Sequence, residues 1–368
     1  MKLGEEWHIA ATYCNRCGRC NTNCPVFQAM DGLETYSPRG WIELIKLMEQ
    51  GKIEINVDTI KYVFICPLCY SCDASCPTGV EVTKLIKDAR RAVVSEGYVP
   101  PGNISGRITN INRWGNLFGT PSQGKWVPRR YESKEKAESI YFPGCLSSHV
   151  YTEIALSSFG LLHGLGYELL KEVSLNGCCG EYAEYCGHEG VRSIVLEELS
   201  KKLDKAGVSR IASSCPHCVM SMRDLDGIEV LHVAQVLSEA AKRKKLRFRR
   251  FRKAVVYHDP CVMSRKLGVV DEPRELLQMI PGLKLLEFEK HGVESFCCGS
   301  GGGVAPGADP SISLKVTAFR IKEAVEMKAS VLITSCPHCY GQFLEANSEL
   351  NAPIKIWDIA HFVDTLAK

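Results

Sequence analysis

Eighteen of the 19 cysteines in this 368-residue chain fall into sets whose spacing repeats. Cys14, Cys17, Cys20 and Cys24 recur 52 residues later as Cys66, Cys69, Cys72 and Cys76, and each run ends in Cys-Pro. Three thiolates on one tight loop can reach three corners of an iron–sulfur cube, and the proline then turns the chain away. Zinc is the competing chemistry, but zinc sites use two C-x2-C pairs separated by a longer gap, not four cysteines in eleven residues. Further along, Cys145, Cys178, Cys179, Cys215 and Cys218 recur as Cys261, Cys297, Cys298, Cys336 and Cys339, at offsets of 116, 119 and 121 for the successive elements. Five thiolates are one too many for a simple cube or a zinc tetrahedron. Adjacent cysteines grip neighbouring irons more readily than they chelate one metal, so each set suggests an enlarged or open iron–sulfur cluster. The glycine after each pair lets backbone approach the metal. Cys-Pro-His-Cys also suits dithiol–disulfide exchange, but that reading leaves the Cys-Cys pairs and the repetition unexplained. Structural zinc in one repeat is a further alternative.

Other residues near the cysteines suggest supporting chemistry. His149, His217, His258 and His338 lie within four residues of a motif cysteine. They are candidates for proton delivery, with local hydrogen bonding to orient the loops as the alternative. Arg265 and Lys266 follow Cys261 and could bind an anionic substrate, or mark a solvated helix start. Gly299, Gly301, Gly302 and Gly303 form a flexible turn or a place where substrate comes close; no Walker lysine or preceding strand makes them a nucleotide fingerprint. Cys186 has no counterpart in the second repeat and reads as a buried, inert thiol. Lys84, Lys87, Arg90 and Arg91 read as a solvated helix face, with docking as the second choice.

The elements that must position these residues are alternating strands and helices. SIYF, YELL and RIASS in one repeat and AVVYH, LKLLEF and SVLITS in the other are β-rich runs. Between them, GVRSIVLEELSKKLDKAG and SISLKVTAFRIKEAVEMKA carry apolar residues at three- and four-residue spacing. The alternation predicts α/β units with mostly parallel sheets, and cysteines just past the C-terminal ends of strands. The N-terminal part is expected to be mainly helical, with SPRGWIELIKLMEQGK as a clear helix. The expected organisation is a cluster module over 1–98, a linker over 99–138 with one short helix, a first repeat over 139–240, a basic connector over 241–253 and a second repeat over 254–368.

Composition narrows the class. The chain is 45% hydrophobic and 24% charged with a formal charge of +3, which fits a soluble globular protein and excludes a dedicated nucleic-acid binder. The beginning is acidic and polar where a secretory signal needs an apolar core, and no apolar run approaches the length of a membrane span. Thiols in such a chain belong in a reducing, cytoplasmic compartment, with the inner face of a membrane as a peripheral option. Nine of the twelve residues 242–253 are Lys or Arg, a local charge that reads as a solvated connector or a docking strip for an acidic or membrane-bound partner.

The two N-terminal runs resemble those of bacterial two-cluster ferredoxins, in which the fourth ligand of each cube comes from the other run. By that crossed rule Cys14, Cys17, Cys20 and Cys76 hold one cubane 4Fe–4S cluster, and Cys66, Cys69, Cys72 and Cys24 the other. The five-cysteine sets resemble the CCG domain of heterodisulfide reductases, and the whole chain resembles the D-type subunit of those enzymes, equivalent to their C-type and B-type subunits fused. The resemblance implies two Rossmann-like α/β domains and two non-cubane 4Fe–4S clusters, with a small disulfide such as that of coenzymes M and B bound and cleaved between them. It also implies electron supply from a flavoprotein or a cytochrome b-type subunit within a hetero-oligomeric complex of anaerobic metabolism such as methanogenesis. Similar architectures serve as electron-transfer subunits of glycerol-3-phosphate and lactate dehydrogenases and in sulfur-relay reductases, so the resemblance fixes cofactors more closely than substrate.

Overall fold

A computed structural model describes residues 2–120, 125–171, 173–175 and 177–368. Its N-terminal part is helical, as expected. Ser37 caps the helix Pro38–Glu49 by accepting from the Gly40 N–H, and Pro38 occupies the first turn, where its missing N–H costs nothing. Trp41, Ile42, Ile45 and Met48 make its buried face. Asn56 and Thr59 form a reciprocal capping box at the start of Val57–Phe64. Both cysteine runs take the same left-handed turns: Arg16 and Gly18 in the first, Leu68 and Tyr70 at the equivalent places in the second. Gly18 adopts this geometry freely, whereas Tyr70 holds it against a penalty of about 1–2 kcal/mol.

Each repeat is a parallel sheet wrapped by helices. The first contains β1 (Ser139–Phe142), β2 (Arg210–Ser213) and β3 (Glu229–His232) in that order. The second contains β4 (Ala254–His258), β5 (Lys284–Leu286), β6 (Val331–Thr334) and β7 (Lys355–Asp358), ordered β5-β4-β6-β7. Every pairing is parallel. YELL, equivalent to β5, departs from expectation: it meets its neighbours only through isolated bridges, Ile140 to Glu168 and Lys134 to Leu170. The two amphipathic stretches form the helices Val191–Ala206 and Pro310–Glu326, the latter capped by Asp309.

Residues expected to be a linker do more than connect. The helix Ile104–Trp114 buries Ile104, Ile108 and Ile111, and Arg107 donates to the Gly303 carbonyl of the second repeat at 3.2 Å. Residues 121–124 lie outside the described residues. The basic connector is pinned by the buried Phe248, which bridges to Ala367, while its Lys and Arg side chains are exposed.

The helix Val82–Ser95 corrects the expectation of a solvated basic face. Lys87 and Arg91 approach Glu184 of the first repeat at 3.8 and 3.7 Å. Arg90 is fully buried and donates to the carbonyls of Val63, Phe64, Cys66 and Tyr185. It faces no carboxylate among the described residues, and its guanidinium lies 5.0 Å from the Phe64 ring centroid. Burial makes each of those carbonyls costly to leave unpaired. Arg90→Met should therefore lower stability by about 3 kcal/mol, read as a fall in the anaerobic urea midpoint. A change below about 0.5 kcal/mol would contradict this riveting role.

Candidate iron–sulfur sites

None of the 19 cysteines is in a disulfide, and the fold gathers 18 of them into four groups. Outermost are Cys14, Cys17, Cys20 and Cys76, which line one small cavity with Arg39, Pro77 and Val80. Cys17 is exposed, whereas Cys24, Cys66, Cys69 and Cys72 are all buried. Cys20 feels the charges of Cys14, Cys17 and Cys76, and Cys72 those of Cys66, Cys69 and Cys24. The groups are thus the crossed sets. Burial pushes the Cys20 thiol up to about 11 and the Cys66 thiol up to about 12. Thiols so placed ionise only against a strong positive charge, which clustered iron supplies. Soft donors in fours, packed together without disulfides, fit a 4Fe–4S cluster.

The five-cysteine sets form at the C-terminal ends of the strands. In the first, Cys145 follows β1 on the short helix Gly144–His149, and Cys215 caps the helix Pro216–Met222 after β2. Cys145 pairs with Cys178, Cys179 with Cys218, and Cys215 with Cys218. Gly144, at φ 74°, is required here: a Cβ would stand 2.9 Å from the Cys218 sulfur. In the second set Cys261 follows β4, and Cys336 caps the helix Pro337–Glu349 after β6. Cys297 contacts Cys261 and Cys298, and the sulfurs of Cys298 and Cys339 are 3.1 Å apart. Backbone N–H groups reach equivalent sulfurs in the two sets, Gly180 to Cys178 and Gly299 to Cys297, both at 3.3 Å.

The groups abut one another. Cys69 interacts with Cys297, and this contact, with help from Arg265, lowers the Cys69 thiol to about 7. Cys215 interacts with Cys336 across the repeats. The donor atoms of Cys215, His217 and His338 lie within 4.8 Å of one another, and the two imidazoles are 5.1 Å apart, edge to face. A cavity there is lined by the first cysteine set together with His217, Tyr182, Tyr185 and Leu117, and by Gly302, Pro337 and His338 of the second repeat.

The other residues singled out in the sequence are dispersed. His149 is held by the carbonyls of Cys145 and Thr120, both at 3.0 Å, and stacks on Phe118. His258 is buried against Cys298 and Cys339. Arg265 donates to the carbonyls of Val293, Cys69 and Ser295, and Lys266 lies 4.8 Å from the Tyr70 ring centroid. Both tie the N-terminal part to the second repeat, with Arg265 held by backbone carbonyls. Gly301 packs on Pro67, where a Cβ would meet its Cα at 2.8 Å; Gly302 faces His217 and Tyr185. Cys186 is fully buried, with its thiol pushed up to about 12 by burial.

Sequence reasoning missed Tyr70, Tyr185 and Glu181. The two tyrosine hydroxyls are 3.2 Å apart, and the Tyr185 ring meets His217 at 5.5 Å. Glu181 is buried beside Arg192 at 3.3 Å, and burial raises its carboxyl above the usual range. No spacing rule marks them: Tyr70 is distant in sequence from Glu181 and Tyr185, which share one short helix.

Fold and sites together define an iron–sulfur oxidoreductase subunit. Residues 10–80 match the 4Fe-4S dicluster domain family, and residues 139–223 and 255–344 match the cysteine-rich domain family. The D-type subunit of the dihydromethanophenazine:CoB–CoM heterodisulfide reductase of Methanosarcina acetivorans is 28% identical over 94% of this chain and 91% of its own length. A probable iron–sulfur-binding oxidoreductase, FadF, of Bacillus subtilis is 26% identical over 84% of this chain and 47% of its own. A hypothetical protein from Helicobacter pylori shares the fold, with a TM-score of 0.56 at 11% identity over 89% of this chain and 67% of that one. The chain is a 4Fe–4S electron-transfer subunit related to the D-type subunit of heterodisulfide reductase. Among the described residues, no helix is long and apolar enough to cross a membrane.

The crossed sets predict an uneven pattern of cluster loss. Cys14→Ser/Cys76→Ser should cost about four irons, since both residues serve one cluster, whereas Cys14→Ser/Cys24→Ser should cost about eight. Iron and acid-labile sulfide on anaerobic protein measure this; the reverse pattern would contradict crossing.

Proposed function

We propose that this chain reduces a small disulfide in the cavity between its two repeats. In this reading two cubane clusters are held by the crossed sets and two non-cubane 4Fe–4S clusters by the five-cysteine sets. The observation that carries it is the meeting of the first cysteine set and His217 with Pro337 and His338 of the second repeat at one cavity, beside which Cys336 interacts with Cys215. When bound, the clusters supply the two electrons that disulfide cleavage requires. The overall change is one disulfide plus two electrons and two protons giving two thiols.

This chain's own residues do the rest. Tyr182, Tyr185, Leu117 and Pro337 present apolar surface that excludes water from the cavity. Gly302 leaves room for substrate beside His217. His217 Nδ1 has no hydrogen-bond partner among the described residues, so it is placed to hold a proton for a departing sulfur, with His338 across the cavity for the other. The exposed edge at Cys17 is the entry for electrons from a flavoprotein or cytochrome b-type partner in a hetero-oligomeric complex, and the buried groups lead inward.

A second reading has support in FadF, whose name specifies no disulfide: a subunit that only relays electrons for a dehydrogenase or reductase complex. The two separate in one experiment. Reduced full chain mixed anaerobically with the CoM–CoB heterodisulfide should be reoxidised, releasing two thiols per two electrons. His217→Phe/His338→Phe should slow this by about 100-fold while retaining its iron. Failure of reduced, fully loaded chain to react with this or any other small disulfide would leave the relay reading.

A further inference from the structure

The two five-cysteine sets differ at the residue that ends their first strand. In the first repeat β1 ends in Phe142, whose ring packs where a Cβ on Gly177 would stand 2.3 Å from it. The repeat alignment puts His258 at the same place, as the last residue of β4, paired in register with Thr334 as Phe142 is with Ser213. The strand-end ring of the first repeat has room because residue 177 is glycine, whose counterpart in the second repeat is Phe296, so the two strand ends are built differently.

His258 is fully buried, and neither ring nitrogen has a hydrogen-bond partner among the described residues. Its ring stands edge-on to Phe343 at 4.8 Å, and one ring nitrogen lies within 4.8 Å of the sulfurs of Cys298 and Cys339. A buried imidazole without partners is costly, so this one is aimed at something. The Cys298 and Cys339 sulfurs lie within reach of a ring nitrogen, and Cys298 is the one that interacts with it, while Arg320 and Asp259 act on the ring through their charges. The backbone N–H···S contacts are matched between the sets, Gly180 with Gly299, whereas a histidine at the end of the first strand is present in the second set and replaced by Phe142 in the first.

We propose that His258 donates an N–H···S hydrogen bond to the Cys298 thiolate and thereby favours the reduced state of the second five-cysteine centre, a strand-end contact that Phe142 cannot make in the first. The inference rests on the reading that both sets hold iron–sulfur centres. A donor at sulfur offsets the negative charge added on reduction, so its removal lowers the reduction potential. His258 acts through Cys298 and is a positioning residue.

The test is an EPR-monitored redox titration of anaerobically purified full chain against His258→Phe, the residue the first repeat itself uses. The expected result is at least a tenfold fall in the reduction equilibrium of one centre, which is 59 mV for a one-electron couple. The other centres should stay within twofold. His258→Gln, which keeps an N–H donor, should recover part of the shift. Where His258→Phe sheds the centre's iron, retention of that iron by His258→Gln supports the contact and its loss from both variants overturns it. Full iron with every potential within twofold of wild type also overturns it. Wild-type chain with iron only in the N-terminal sets would instead remove the parent reading.

Discussion

The structure depends on sulfur brought next to sulfur. A buried thiolate is unfavourable unless a cation shares its site, and burial here raises most of the N-terminal thiols whose ionisation shifts. Four such groups cannot be scattered through one core; each closes on itself as a compact set of sulfurs. They must also lie side by side if electrons are to pass between them. Cys69 against Cys297 and Cys215 against Cys336 meet that second condition, and much of the architecture serves those two contacts.

The parallel sheets provide the first condition. Strands β1, β2, β4 and β6 deliver cysteines at their C-terminal ends, where helices begin and backbone turns sharply. Guanidinium groups join the parts. Arg90 gathers carbonyls from the N-terminal helices and from Tyr185, and Arg265 reaches from the second repeat to the Cys69 carbonyl. Both leave the neighbouring cysteine sulfurs unengaged, because their donors go to backbone oxygen. Arg107 of the helix Ile104–Trp114 donates to the Gly303 carbonyl and Leu117 lines the cavity, so a segment that looks like a tether contributes to the site.

Much of this was legible in the sequence because metal ligation imposes spacing. The cysteine runs, the doubled repeat, the strand–helix alternation and the helix at Pro38–Glu49 all follow from local pattern. What was hidden was long-range. Arg90 sits on a helix whose basic residues look solvated, and nothing nearby in sequence announces the carbonyls it meets. Tyr70 and Tyr185 are 115 residues apart and form one contact. His149, His217, His258 and His338 look alike by proximity to cysteine, yet only His217 and His338 line the shared cavity. YELL has strand composition but pairs at isolated bridges, since pairing is decided by neighbours more than by propensity.

Each five-cysteine set is proposed to hold an iron–sulfur centre, with the two centres on either side of the cavity at His217 and His338. Anomalous diffraction at the iron edge from crystals of anaerobically prepared full chain tests it most directly. Four iron positions are predicted, two in the N-terminal module and one on either side of the cavity bounded by His217 and His338. Iron confined to the two N-terminal sites, in chain fully loaded there, would contradict it.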